Sequence, residues 1–191
     1  MDELAELAEA GWRAAPVEVT PLGGGVVGRV RLVRWDDGSR CVVKTISDDG
    51  FGDPADTLEI EAEGLAALSA TGAVRTPRVL YVSPRVLVLE PLHESPTDGD
   101  FRAELGRRLA VLHTTTVGER FGWHRDGWLG RKRQDNTWND DGHDFVARQR
   151  LLRYLPEPRL RDALGPSDRR ALRRLCSRLP EILPVSPPVL T

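Results

Sequence analysis

Short, β-rich apolar runs bounded by turn residues fill the first half of the chain, and apolar residues at helical spacing fill the second. Val17 to Leu22 reads as a strand leading into a glycine turn. Val30, Leu32 and Val33 form a second, β-rich run. Asp37-Gly38 is a hairpin signal, and Val42-Val43-Lys44 closes the hairpin on a cation. Ser47 to Pro54 reads as a polar loop. Val79 to Val82 and Val86 to Leu89, separated by Ser83-Pro84, read as two further strands. One helix interrupts this series, Asp56 to Thr71, with Leu58, Ala62 and Leu65 in its stripe and Gly72 as its stop. Asp56 and Glu59 are spaced as a capping-box variant. The pattern predicts an α+β fold whose first part is a five-stranded antiparallel sheet with one main helix.

The remainder reads as helical. A short amphipathic helix is expected over Asp2 to Ala10, stopped by Gly11. Phe101, Leu105, Leu109 and Leu112 mark a helix from Asp100 to His113. Thr114 to Asn139 has no clear period and reads as a long irregular or wrapped loop. Asp140 to Leu155 is expected to be helical, with Phe145, Gln149 and Leu152 on one face. Pro166 to Leu179 is another helix, with Pro166 in the first turn. Pro180 to Thr191 is proline-rich and extended. The expected division is a lobe over 1–92 and a mostly helical lobe over 93–191.

Composition narrows the function. The 191 residues carry 27 basic and 29 acidic side chains, a net charge of −2. That gives no basic footprint for nucleic acid, so none is expected as a partner. Arg131-Lys132-Arg133 is short and reads as a solvated face. No run is apolar enough to cross a membrane, and no signal peptide is evident. Cys41 and Cys176 read as reduced, buried thiols. A cytoplasmic protein is expected. The four histidines are scattered, and no metal-ligand spacing occurs. His113 reads as a packed or dipole-facing residue at a helix end.

The chemistry centres on Pro21 to Lys44. Gly23, Gly24, Gly25 and Gly28 lack a Cβ, so the backbone there can come close to a ligand. Lys44 stands out because only it and Lys132 are lysine among the 27 basic residues. A compact ammonium at a strand end suits a polyphosphate, as in protein kinases and unlike the strand–loop–helix P-loop. Such a lysine needs a carboxylate to hold it. Glu61, Glu59 and Glu63 all lie on the helix over Asp56 to Thr71, and spacing alone leaves the three open. Glu90-Pro91-Leu92 ends the last strand, where a two-lobed kinase presents hinge backbone to adenine.

These residues resemble the fructosamine kinase (ketosamine 3-kinase) family, a branch of the aminoglycoside/choline-kinase-like fold. The likeness rests on PLGGG, on VVK at Val42 to Lys44, on EAEGLAAL at Glu61 to Leu68, and on VLEPL at Val88 to Leu92. LGRRLAVLH, Leu105 to His113, adds to it. The most specific stretch is Phe121 to Arg150, where the family shows FGF, then G-x-x-x-Q-x-N-x-W, then a phenylalanine and a basic helix. Here these are Phe121-Gly122-Trp123, Gly130, Gln134, Asn136, Trp138, Phe145 and Arg148. Arg133 stands where the family has proline, and Asp141-Gly142 where it has Asp-Trp. The glycine turn lacks the cysteine of some relatives, so no redox control is expected there.

The resemblance implies an ATP- and Mg2+-dependent phosphotransferase. It would act on the 3-hydroxyl of a small-molecule or protein-bound ketosamine, in protein deglycation. Lys44 would hold the phosphates, Glu61 would orient it, and Gly23, Gly24 and Gly25 would cover them. Glu90 and Leu92 would meet adenine through their backbone. Gln134, Asn136 and Trp138 would shape the acceptor side or serve the structure. The family's catalytic loop and metal ligands follow the segment resembling PVSPPVLT, so none is expected in these 191 residues. Little turnover is expected of them alone, and exposed helical surface would invite self-association. Two other readings stay open, an aminoglycoside- or choline-type kinase and a non-catalytic nucleotide-binding module.

Overall fold

The computed structural model describes residues 7, 16–23, 28–46, 56–93 and 100–190. Of the helix expected over Asp2 to Ala10 only Leu7 is among them; it is helical and fully buried. Gly24, Gly25 and the loop from Ser47 to Pro54 lie outside the described residues. The chain forms two compact units, 1–111 and 112–191.

In the first unit, β1 (Pro16–Leu22), β2 (Arg29–Trp35), β3 (Arg40–Thr45), β4 (Val79–Val82) and β5 (Val86–Leu89) form the five-stranded sheet, and α1 (Thr57–Ala70) is its helix. The strand order is β1-β2-β3-β5-β4, all neighbours antiparallel. Between β2 and β3 the Gly38 N–H donates to the Trp35 carbonyl, and Trp35 N–H to the Ser39 carbonyl. Gly38 sits at φ +80°, so the Asp-Gly signal becomes a three-residue turn with a glycine bulge.

The period of two separates the sheet's faces. Val33, Trp35, Cys41, Val43, Val86 and Val88 bury one face, together with Leu7. Leu87, Leu89 and Ile46, with Val42 and Val79 beside them, pack on the other against Leu58 and Ala62 of α1. Lys44 pairs with Leu87, so it projects on the α1 side. Asp56 does precede α1, but its side chain caps nothing, and the expected capping box does not form. Asp56 is in the helical rather than the extended region, which turns its carboxylate away from the N–H groups it would cap.

The helix α2 (Phe101–Thr115) follows. Phe101, Leu105 and Leu109 along its stripe are exposed, and Leu112 is buried.

The second unit is more irregular. The stretch expected to be an aperiodic loop contains a small hairpin, β6 (Gly127–Leu129) with β7 (Lys132–Gln134), closed by Gly130 at φ +57°. An isolated bridge joins Phe121 to Asn139. The helical run expected from Asp140 begins as α3 (Gly142–Phe145), where Asp141 accepts from the N–H groups of His143 and Asp144. It continues as a π-helical segment over Val146–Leu151 and a 3-10 turn over Leu152–Tyr154. In the π segment the Leu152 N–H reaches Ala147, five residues back. After α4 (Pro158–Ala163), Pro166 opens α5 (Pro166–Ser177). Asp168 accepts the Gly165 N–H there at 3.0 Å. The helix ends earlier than its apolar period suggests, and Leu179 begins the short α6 (Leu179–Ile182). The stretch expected to be extended from Pro180 is therefore helical as far as Ile182, with Pro180 in the first turn, where its missing N–H costs nothing. Cys176 and Leu179 pack on Ala147, with Leu172 alongside.

Candidate nucleotide site

Three strands and one helix assemble the residues singled out near the glycine turn. Lys44 Nζ donates to Glu61 Oε2 at 2.5 Å, with side-chain exposures of 17% and 33%. Of the glutamates that spacing left open, Glu61 is the one brought to the lysine. Its position follows from the helix: 61 lies beside the stripe of Leu58, Ala62 and Leu65, which faces the sheet, while Glu59 is exposed. Lys44 is flanked on its sheet face by apolar Val42 and Ile46. The pair is half-buried, and among the described residues Glu61 takes one of the three N–H groups an ammonium offers.

Gly28 ends the glycine turn at φ +77°, and a Cβ there would lie 2.2 Å from the Thr45 carbonyl oxygen. The turn's distal end is thus seated on the backbone next to Lys44, which only glycine permits. Gly23, at the other end, has open space where a Cβ would go. The bare glycine, the close approach at Gly28 and the half-buried ammonium suit a polyphosphate.

At the exit of β5 the Glu90 N–H donates to the Arg78 carbonyl at 2.9 Å. Its N–H is therefore already taken and does not serve a ligand. The Glu90 carboxylate accepts from the Arg78 N–H and guanidinium, both at 3.3 Å, and lies 3.5 Å from Arg75. The Arg78 backbone N–H first, then its guanidinium and Arg75, hold Glu90 below the usual carboxylate range against a partial desolvation. This clamp fixes the strand exit from which Leu92, itself exposed, projects.

Gln134, Asn136 and Trp138 belong to the second unit. Asn136 is held there at both ends of its amide: Nδ2 donates to the Arg125 carbonyl at 3.2 Å, and Oδ1 accepts from Arg150 at 2.7 Å. Its carbonyl accepts the Trp123 N–H and leaves no room for a Cβ on Gly122, at φ +124°. Arg150 also donates to the Asp135 carbonyl at 2.5 Å and covers the Phe145 ring. Buried Gln149 donates to the Thr137 carbonyl at 2.5 Å. Gln134 pairs with Gly127 in the hairpin. Trp138 is exposed. The geometry gives Asn136 a structural task and leaves Trp138 as the accessible member of the three. Gly142, where the resembling family carries tryptophan, is covered by Phe121: a Cβ would meet that ring at 2.5 Å.

A feature the sequence reading missed is a cavity of about 870 Å3 in this unit. Phe121, Gly142, His143 and Val146 line one side and the segment Leu183–Pro188 the other. His143 Nε2 lies 3.1 Å from the Leu183 carbonyl. The segment's proline-rich composition was the only signal, and it marked extended backbone rather than a wall. Among the described residues no group of three or more His, Cys, Asp or Glu could hold a metal ion.

With this geometry in place, comparison with known proteins assigns the family. The fructosamine kinase profile matches residues 4–184, and the chain belongs to that family. The probable ketoamine kinase of Thermus thermophilus is 42% identical over 118 residues, 62% of this chain and 40% of that protein. The protein-ribulosamine 3-kinase, chloroplastic, of Oryza sativa subsp. indica is 30% identical over 139 residues, 70% of this chain and 39% of its own. The crystal structure of a fructosamine-3-kinase candidate from Thermobifida fusca superposes with a TM-score of 0.83 at 28% identity, over 98% of this chain and 65% of that one. The matches thus span about two fifths of those two curated relatives. No helix among the described residues is long and apolar enough to cross a membrane.

Proposed function

We propose that this chain supplies the nucleotide-binding part of an ATP-dependent kinase that phosphorylates the 3-hydroxyl of ketosamines, in protein deglycation in the cytoplasm. The observation that carries the reading is the Lys44–Glu61 pair at 2.5 Å beside the glycine turn. Lys44 holds the α- and β-phosphates, Glu61 orients it, and Gly23, Gly24 and Gly25 cover the phosphates. The Glu90 carbonyl and the Leu92 backbone meet the adenine edge. In this reading 1–92 is the nucleotide lobe and 93–191 belongs to the acceptor-side lobe. Trp138 faces the acceptor, with Gln134 and Asn136 behind it. Mg2+ enters only as the counter-ion of the nucleotide, since phosphoryl transfer rests on positioning and charge neutralisation.

The test is Lys44→Ala in the complete protein, assayed with ATP against a panel of ketosamines, aminoglycosides and choline. Loss of one electrostatic stabiliser predicts a fall in turnover of about 10²–10³-fold. Unchanged turnover removes Lys44 from the site. Turnover on aminoglycosides or choline, with none on ketosamines, replaces the acceptor class.

A further inference from the structure

The arginines of the second unit are unevenly supplied with partners. Pro158 to Arg178 holds seven arginines and only two carboxylates, Asp162 and Asp168. Both carboxylates are engaged, Asp162 with Arg161 at 3.4 Å and Asp168 with the Gly165 N–H. Arg169 turns inward to the Leu164 and Arg161 carbonyls, and Arg178 pairs with Glu181. Arg170, Arg173 and Arg174 are exposed on α5, and among the described residues none of the three guanidinium groups has a hydrogen-bond or salt-bridge partner, the Arg174 carbonyl alone accepting from the Ser177 hydroxyl. Elsewhere the chain gives several surface arginines a carboxylate: Arg34 has Glu18, Arg107 and Arg108 share Glu104, and Arg148 has Asp144.

Helical geometry puts the three on one face. Arg170 and Arg174 are one turn apart, and Arg173 lies one turn after Arg170 on the other side of the same stripe. Leu172 and Cys176 point the opposite way, into the packing with Ala147. Beside the basic stripe run Ala171, exposed, and Leu175, which is 46% exposed. The surface is therefore a line of guanidinium forks bordered by an apolar edge.

We propose that this face of α5 docks an acidic amphipathic helix from a partner polypeptide. Its carboxylates, one turn apart, engage Arg170, Arg173 and Arg174, and an apolar residue beside them covers Leu175. Guanidinium forks bind carboxylates bidentately. The stripe spans four residues, about 6 Å of helix axis. That length suits a few carboxylates rather than the run of phosphates a nucleic acid needs for appreciable affinity.

The experiment is fluorescence anisotropy of the 191-residue chain. The probes are a labelled helical peptide with glutamates one turn apart and one flanking leucine, its glutamine counterpart, and a single-stranded oligonucleotide of equal length. The glutamate peptide is expected to bind at least about tenfold more tightly than the glutamine peptide, and to weaken at high salt as exposed charges are screened. Arg170→Glu with Arg174→Glu should abolish that preference, and Leu175→Ala should weaken binding severalfold. Arg170→Gln with Arg174→Gln gives the same readout without charge reversal, and a circular dichroism melt confirms the fold of each variant. Equal binding of the two peptides, tighter binding of the oligonucleotide, or a preference surviving both double substitutions overturns the proposal.

Discussion

Replacing Gly28 with alanine tests how tightly the glycine turn is seated beside Lys44. The residue is at φ +77°, and its Cβ would lie 2.2 Å from the Thr45 carbonyl oxygen and 3.2 Å from the Thr45 carbonyl carbon. Two costs add. The left-handed backbone costs an L-residue about 1–2 kcal/mol. The overlap is with backbone in the β2–β3 ladder, which no side-chain rotation relieves, and forcing the strands apart costs about 1–3 kcal/mol more. The expected loss is about 2–5 kcal/mol. For a chain of this size that is a fall in Tm of about 5–15 °C. Gly38 is the internal control, since it has φ +80° and nothing within 4 Å of the added Cβ. Gly38→Ala should show the conformational cost alone. The assay is urea and thermal unfolding of both variants beside the unsubstituted chain, followed by nucleotide binding. Gly28→Ala should also weaken nucleotide binding, because the displaced Thr45 carries Lys44 with it. Equal destabilisation by the two variants would show that the close approach carries no energy, and the reasoning would fail.

Gln149→Leu removes the buried amide that satisfies the Thr137 carbonyl. It should cost about 1–3 kcal/mol, read as a shift in the urea midpoint; an unchanged midpoint would mean that solvent replaces the bond. Asp135 is held below the usual carboxylate range, first by the Thr137 backbone N–H, then by its hydroxyl, Gln149 and Arg153, against some desolvation. A depressed folded-state value stabilises the fold above the unfolded-state value and is lost as pH falls through the folded one. Asp135→Asn should therefore be less stable near neutral pH by up to about 1 kcal/mol, the surface-exposed limit. The difference should vanish in acid, and a difference independent of pH would contradict the assignment.

Much of the first unit was legible because its strands are short, β-rich apolar runs bounded by turn residues. The face that carries Lys44 was not legible, since Val42 and Val43 are both apolar; its pairing with Leu87, whose face packs on α1, settles it. The choice among Glu59, Glu61 and Glu63 needed the helix phase measured against Leu58 and Ala62. The capping box was misread because it depends on the backbone angles of Asp56, which the sequence does not state. In the second unit the hairpin escaped notice because its strands are three residues each. Tertiary contacts support it: Lys132 pairs with Glu157, and Arg133 lies over Trp128. Asn136 was legible as a motif residue, but its task was not, since its partners Arg125 and Arg150 lie eleven and fourteen residues away.

The π segment over Val146–Leu151 behaves as a one-residue insertion carried inside a helix. It lets neighbouring Gln149 and Arg150 both reach back to the 135–137 stretch, Gln149 to the Thr137 carbonyl and Arg150 to the Asp135 carbonyl and Asn136. Removing any one residue between 146 and 151 would restore the ordinary helical step and rotate the two ends by about 100° relative to each other. Phe145 could then keep its place against Phe121, or Ala147 and Leu151 could keep theirs against α5, but not both. Chain length here is consequently under tighter constraint than side-chain identity: a substitution trims one contact, while a deletion puts the two halves of the element out of phase.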